Sequence, residues 1–247
     1  KIKDKLMKKS KQDEYYLTTE GDSFFERMMK NKSDSSLRDN KVSIYEAIKK
    51  SKVNSDCVLE YGCNYGDLLY KLISDGSSKK CFGIEPSTKA VEFGLKKYGE
   101  SIVLDKGTIA NNKVNNSGEF TNFFDLIIVD DVFGWGSRET ILQSIANIDS
   151  VLKDGGSVFI RDFYPDKRVK NLNHHISDES IYNYKIPSSH ASIFEAAGMY
   201  EVQWQKTYFD NSDMSSNYKC DNDFNHRWTD VILKKSIQGY FDESKKI

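Results

Sequence analysis

In VLEYGCNYGDLLYKL, Val58 to Leu72, a strand-like start reaches the carboxylate Glu60, turns through Gly62 and Gly66, and continues as a helix-like run. Glycines at a strand–helix turn lose much conformational entropy on folding, but they let a ligand approach the main chain closely. A second acid, Glu85, closes the next strand-like run, at a place where an acidic side chain accepts hydrogen bonds from ribose hydroxyls. A dinucleotide fingerprint needs glycines where Asn64 and Asp67 stand, and Asp67 in the first helical turn would repel a pyrophosphate. Glu60 and Asp67 instead favour a ligand with a ribose, a cation and no phosphate. S-adenosylmethionine, with its ammonium, sulfonium and ribose, has that chemistry.

A second set of reactive side chains follows the strand-like run SVFIRDFY. The segment DFYPDKRVKNLNHHISDESIYNYK carries His174 and His175, the cations Lys167, Arg168 and Lys170, the aromatics Tyr182 and Tyr184, and Lys185. An imidazole there can take a proton from a hydroxyl acceptor, and the cations can hold a phosphate. His175 is the preferred base and His174 the other candidate. A histidine pair that only bonds the local backbone is the competing reading. His190 is expected on a helix surface after Pro187, and His226 is read as structural.

These groups need a scaffold, and the alternation of apolar runs describes one. DCVLEY, KCFGIE, SIVLD, FFDLIIVDDVF and SVFIRDFY read as strands, separated by helical patterns such as PSTKAVEFGLKKYG and SRETILQSIANIDSVLKDGG. In the latter, Ile141, Leu142, Ile145, Ile148 and Leu152 are expected on one buried face, and NNKVNNSGEF is read as a surface loop. Alternation of this kind predicts a mostly parallel sheet with helices on both faces. MYEVQWQKTYF and HRWTDVILKKS, with no helix between them, predict an antiparallel hairpin at the sheet's edge.

Length and composition agree with one domain bearing a modest cap: residues 1–50 as an N-terminal helical cap and 51–247 as the catalytic domain. Lys plus Arg number 36 and Asp plus Glu 37, so the chain lacks the basic footprint of a general nucleic-acid binder. No apolar run reaches membrane-spanning length. The basic opening KIKDKLMKKSKQDEYY lacks the apolar stretch of a secretion signal, and Cys57, Cys63, Cys81 and Cys220 show no metal-type spacing. A cytoplasmic protein with no metal site and no membrane insertion is therefore expected. Asp130 and Asp131 are set aside as a magnesium pair, since neighbours on a strand face opposite ways.

Taken together, VLEYGCNYGDLL, FGIEPSTKAVEFGLKKYG, FFDLIIVDDVFGW and IDSVLKDGGSVFIRDFYP resemble the four sheet motifs of class I S-adenosylmethionine-dependent methyltransferases. The resemblance covers residues 53–165 and extends to the final hairpin. It implies a Rossmann-like α/β fold with a seven-stranded, mostly parallel sheet. It also implies roles: Glu60, Gly62, Cys63 and Gly66 around the methionine part, Glu85 at the ribose, Pro86 beside the adenosine, Thr108 and Ile109 near adenine, and Asp130 and Val132 toward the methionine. S-adenosylhomocysteine is the implied product. Asn64 departs from the glycine many members carry, and asparagine tolerates the left-handed backbone this requires.

YYLTTEGDSFFERMMKNK is similar to the opening of methyltransferases from bacterial surface-polysaccharide and sugar-nucleotide pathways. That likeness makes Tyr16 and Phe25 acceptor-binding candidates and lets Arg27 reach the cofactor's carboxylate or an acceptor phosphate. Arg168, Tyr182, Tyr184 and Lys185 complete the acceptor set. The expected reaction is transfer to oxygen of a small anionic acceptor, a sugar nucleotide or capsule precursor, including its phosphoramidate modification. A protein or RNA methyltransferase and a cofactor-binding module without turnover stand as alternatives.

Overall fold

The apolar runs become buried strands because helices cover both faces of one sheet. In a computed structural model describing residues 10–30, 39–173, 175, 176, 178, 181–209 and 227–236, β1 (Cys57–Tyr61) and β4 (Phe124–Asp130) are buried at every position. With β2 (Lys80–Glu85), β3 (Val103–Lys106), β5 (Leu152–Phe163), β8 (Tyr200–Phe209) and β9 (Arg227–Lys235) they form a seven-stranded sheet of order β3-β2-β1-β4-β5-β9-β8. Strands β1 to β5 pair in parallel, and β9 runs antiparallel to both β5 and β8. The chain steps outward from β1 to β3 and then returns to the other side of β1. The strand order therefore reverses between β1 and β4, and a crevice opens at their carboxyl ends.

Local chemistry fixes the connecting helices. Helix α5 (Thr88–Tyr98) starts where the Ser87 side chain accepts from the Ala90 amide, and it ends at Gly99, whose φ is +57°. Helix α4 (Asp67–Ser74) starts at Gly66, φ +80°. The expected loop Asn111–Phe120 contains a short helix, α6 (Lys113–Ser117), because Asn112 caps it by accepting from the Asn115 amide. Along α7 (Ile141–Val151), Ile148 is buried but Leu142 is 68% exposed. Adjacent helical residues point about 100° apart, so Leu142 cannot share the face of Ile141. Leu152 is buried too, but as the first residue of β5.

Before the sheet, α1 (Lys11–Tyr15), a π-helical turn (Tyr16–Glu20) and α2 (Gly21–Lys30) form one helical run across the crevice. Helix α3 (Asp39–Ser51) packs on the sheet instead, with Ile44 and Ile48 in one cluster with Val58, Leu126 and Phe159. The rim segment after β5 is a separate two-stranded hairpin, β6 (Val169–Leu172) and β7 (Tyr182–Lys185). Helix α8 (Ala191–Ala196) leads into β8. Among the described residues no helix is long and apolar enough to cross a membrane. Cys57, Cys63 and Cys81 are buried free thiols, and burial pushes Cys57 up to about 11 and Cys81 up to about 12.

Candidate active site

The glycine turn takes its shape from its neighbours. Gly62, φ +72°, donates its amide to the Ile84 carbonyl at 2.8 Å, and a β-carbon there would lie 2.6 Å from Val132 Cγ2. Asn64 adopts φ +54°, and its own Oδ1 accepts from the Tyr65 amide at 2.9 Å. The Asn64 amide donates to Glu85 Oε2 at 2.8 Å, and the Ser87 amide donates to Glu85 Oε1 at 3.0 Å. One carboxylate thus ties the first strand–helix turn to the start of α5. Each of its oxygens has further acceptor capacity for a diol.

Around this turn lies an open cleft. Ile84, Glu85, Pro86, Thr108 and Ile109 line it, together with Gly62, Asn64, Lys41, Asp130 and Val132. Tyr16, Glu20, Gly21 and Phe24 cover it from the helical run, with Trp135 and His175 at the mouth. The cover is bolted down: Asp22 Oδ1 accepts from Ser87 Oγ at 2.7 Å and from the Lys89 amide at 3.0 Å, and Gln12 Nε2 donates to the Trp135 carbonyl at 2.5 Å. The π-helical turn puts Tyr16 and Glu20 on the cleft, and burial pushes the Tyr16 phenol up.

The structure therefore brings together Gly62, Glu85, Pro86, Thr108, Ile109, Asp130, Val132, Tyr16 and His175. It corrects the expected placement of several others. Cys63 turns its side chain into the core, with Sγ where a β-carbon on Gly83 would stand, and Gly66 faces Ile102 and Leu104. Both shape the turn from inside. Phe25 is a core residue, 6.5 Å from the Tyr65 ring and 5.7 Å from the Phe93 ring, and its neighbour Phe24 takes the cleft position. Arg27 stays at the rim, where Nη2 lies 2.5 Å from Glu20 Oε1 and 3.5 Å from His175 Nδ1.

Glu60 is sealed beneath the cleft, and Lys41 lies over it. Lys41, 2% exposed, places Nζ 2.5 Å from Glu60 Oε1 and 2.7 Å from Asp130 Oδ2. Arg161 extends the cluster with Nη1 3.8 Å from Asp130 and Nε 2.7 Å from Asp230. Burial raises the Glu60 carboxyl, and the Lys41 ammonium opposes that rise. Sequence reasoning missed Lys41. The signal was its place on the helical face of Ile44 and Ile48, at i, i+3 and i+7.

Asp130 and Asp131 do not face opposite sides. Strand β4 stops at Asp130, and Asp131 adopts φ +56°, so both border the cleft. Asp131 Oδ1 accepts from Trp135 Nε1 at 2.8 Å. Among the described residues no group of three or more His, Cys, Asp or Glu is arranged to hold a metal. Burial, and then the Asp130 charge, raises the Asp131 carboxyl well above the usual range. A carboxyl raised in the folded state binds protons the unfolded chain has already lost, so it subtracts stability as pH rises above the unfolded value. Asp131→Asn, which keeps an acceptor for Trp135, is expected to melt higher than wild type at pH 8. The difference should shrink at pH 4.5, and an equal shift at both pH values would contradict the assignment.

At the mouth, the His175 ring lies 5.4 Å from the Trp135 ring, and its amide donates to Asn173 Oδ1 at 3.1 Å. A guanidinium only donates, so the neighbouring Arg27 favours the His175 tautomer with its lone pair on Nδ1. His174 and His226 lie outside the described residues. His190 is not on a helix surface. It is buried, with Nδ1 2.5 Å from Asp162 Oδ2 and its ring stacked on Phe133. Arg168, Tyr184 and Lys185 line a second cleft, next to the first, and Tyr182 lies beneath the Lys170 ammonium at 3.9 Å.

The donor set fits S-adenosylmethionine: a glycine whose β-carbon would strike Val132, a clamped acid at the ribose place and apolar walls beyond it. The sequence model of a family described as "Methyltransferase domain" matches residues 52–217. No curated protein sequence matches the chain. Among solved structures, the 1,6-didemethyltoxoflavin-N1-methyltransferase of Burkholderia thailandensis, with S-adenosylhomocysteine bound, superposes with TM-score 0.63 at 12% identity, covering 94% of this chain and 93% of that one. The N-methyltransferase NodS of Bradyrhizobium japonicum WM9, also with S-adenosylhomocysteine, gives 0.57 at 14% identity over 87% and 98%. An S-adenosylmethionine-dependent methyltransferase of Clostridium acetobutylicum gives 0.53 at 15% identity over 87% and 97%.

Proposed function

The chain belongs to the methyltransferase-domain family and uses S-adenosylmethionine, and from that premise we propose that it methylates an oxygen of a small anionic acceptor. The acceptor class is a nucleotide-linked or phosphorylated sugar of a surface-polysaccharide pathway, its phosphoramidate forms included. The observation that carries this reading is the cleft itself: Glu85 clamped by the glycine turn, with His175, Trp135 and the helical cover lining the same space.

S-adenosylmethionine supplies a methyl group on a positively charged sulfur, which an acceptor atom displaces in line. In this reading Glu85 holds the ribose, Pro86, Thr108 and Ile109 border the adenosine, and Gly62, Asn64, Lys41 and Asp130 surround the methionine end. The helical run Lys11–Lys30 excludes water, and Tyr16 and Trp135 orient the acceptor. The Nδ1 lone pair of His175 takes the hydroxyl proton once an acceptor displaces the long Arg27 contact. Alignment supplies most of the acceleration, on the order of 7–11 kcal/mol, and a base adds less. Buried free thiols at Cys57, Cys63 and Cys81 support a cytoplasmic location.

His175→Ala is expected to leave S-adenosylhomocysteine affinity unchanged and to lower turnover by roughly 10²–10⁴-fold. Unchanged turnover would remove the base assignment. The acceptor reading is tested by incubating the protein and methyl-labelled cofactor with a panel of nucleotide sugars and sugar phosphates, read by mass spectrometry. Label on peptide or RNA alone would defeat it.

A further inference from the structure

We propose that the second cleft, across the Phe133–Gly136 turn from the cofactor cleft, binds the phosphate or diphosphate group of the acceptor. The proposal rests on the anionic-acceptor reading above and assigns that anion a place. Arg138, Arg168, Lys170 and Lys185 line the cleft from two parts of the chain. Like charges gathered this way repel one another unless something compensates them.

Among the described residues, no carboxylate pairs with Arg138, Arg168 or Lys170. Aromatic faces lie beside three of the cations. The Arg138 guanidinium lies 5.9 Å from the Tyr184 ring centre, Lys170 Nζ lies 3.9 Å from that of Tyr182, and Lys185 Nζ lies 3.3 Å from that of Phe163. Cation–aromatic contacts position a charge without neutralising it, which leaves the field in the cleft for a bound anion.

A buried polar group completes the wall. His190 lines the cleft, and Asp162 engages both its backbone amide, at 2.9 Å, and its Nδ1, at 2.5 Å. That pairing fixes the ring and leaves Nε2 as the nitrogen available to a ligand. Planar guanidinium forks beside an imidazole suit phosphate oxygens, which Arg binds in bidentate fashion. The two clefts share a wall. Gly136 borders both, and Lys185 in the second lies near enough to Asp131 in the first to draw down its carboxyl. An acceptor anchored by phosphate in the second cleft can extend its sugar past Gly136 toward His175.

The test uses the full chain saturated with S-adenosylhomocysteine and titrated with inorganic pyrophosphate by calorimetry. Wild type is expected to bind, and Arg138→Ala/Arg168→Ala, two exposed positions, to bind at least tenfold more weakly with unchanged S-adenosylhomocysteine affinity. No uptake of millimolar pyrophosphate by wild type, or equal affinity in the double variant, overturns the proposal. The acceptor panel separates the two ideas. Phosphorylated sugars methylated with the same KM in wild type and double variant would sink the second-cleft assignment and leave the anionic-acceptor reading intact. Pyrophosphate binding lost in the variant, with no phosphorylated sugar methylated, would keep the anion site and sink that reading.

Discussion

Lys41→Ala is expected to destabilise the fold by about 3–5 kcal/mol, the usual penalty for removing one partner of a buried ion pair. For a chain of this size that corresponds to a melting midpoint lower by roughly 6–20 °C. Lys41 Nζ serves two carboxylates at once, at 2.5 Å from Glu60 and 2.7 Å from Asp130. Glu60 Oε2 has no hydrogen-bond partner among the described residues, so no other contact stands ready to compensate that charge. Without the ammonium, the Glu60 carboxyl, already raised by burial, must take up a proton or remain charged in the core. The sign in pH follows. A folded-state value raised further above the unfolded one subtracts stability as pH rises, so the deficit is largest near pH 8 and narrows in acid. Pairing Lys41→Met with Glu60→Gln should recover part of the loss. A Lys41→Ala midpoint within 2 °C of wild type at pH 8, a change of at most about 1 kcal/mol, would show the cluster to be solvated.

Glu85→Ala is expected to weaken S-adenosylhomocysteine binding by about 10²–10⁴-fold. Two charge-assisted hydrogen bonds to a ribose diol are worth roughly 1.5–3 kcal/mol each, and every 1.4 kcal/mol is about a factor of ten. The same carboxylate receives the Asn64 and Ser87 amides, so its removal also frees the glycine turn and the start of α5. Glu85→Gln, which keeps one acceptor oxygen but presents an amide to one of those donors, should fall between alanine and wild type. Calorimetry with S-adenosylhomocysteine decides the matter, and a loss below tenfold for Glu85→Ala would place the ribose elsewhere.

Both predictions concern residues around the same turn, yet only one was visible before the fold. Glu85 announced itself by ending a strand-like run after a glycine turn. Lys41 read as one lysine among many, because its partners lie on a different element. Phe24 and Phe25 show the same limit. Both belong to an aromatic-rich helix, and which of them faces the cleft depends on how the helical run is rotated over α5, which Asp22 settles by bonding Ser87 and Lys89. The rim segment was read correctly as rich in cations and aromatics. Its hairpin and its separate cleft depend on where the Phe133–Trp135 turn lies, and composition does not carry that information.

By itself the sequence determined the parallel sheet, its antiparallel edge and the cofactor class. The first two follow from hydrophobic period and turn glycines, and the third from Glu85 at a strand end and the resemblance of four sheet motifs, all of them features of residues close along the chain. Only the tertiary structure decided that Lys41 covers Glu60 across 19 positions, that Asp162 holds His190 across 28, and that Asp131 joins Asp130 on one wall. These contacts arise when separate elements pack, and their strength comes from the burial that packing creates. Burial at a given position is a property of the assembled layers, and no window of neighbouring residues encodes it.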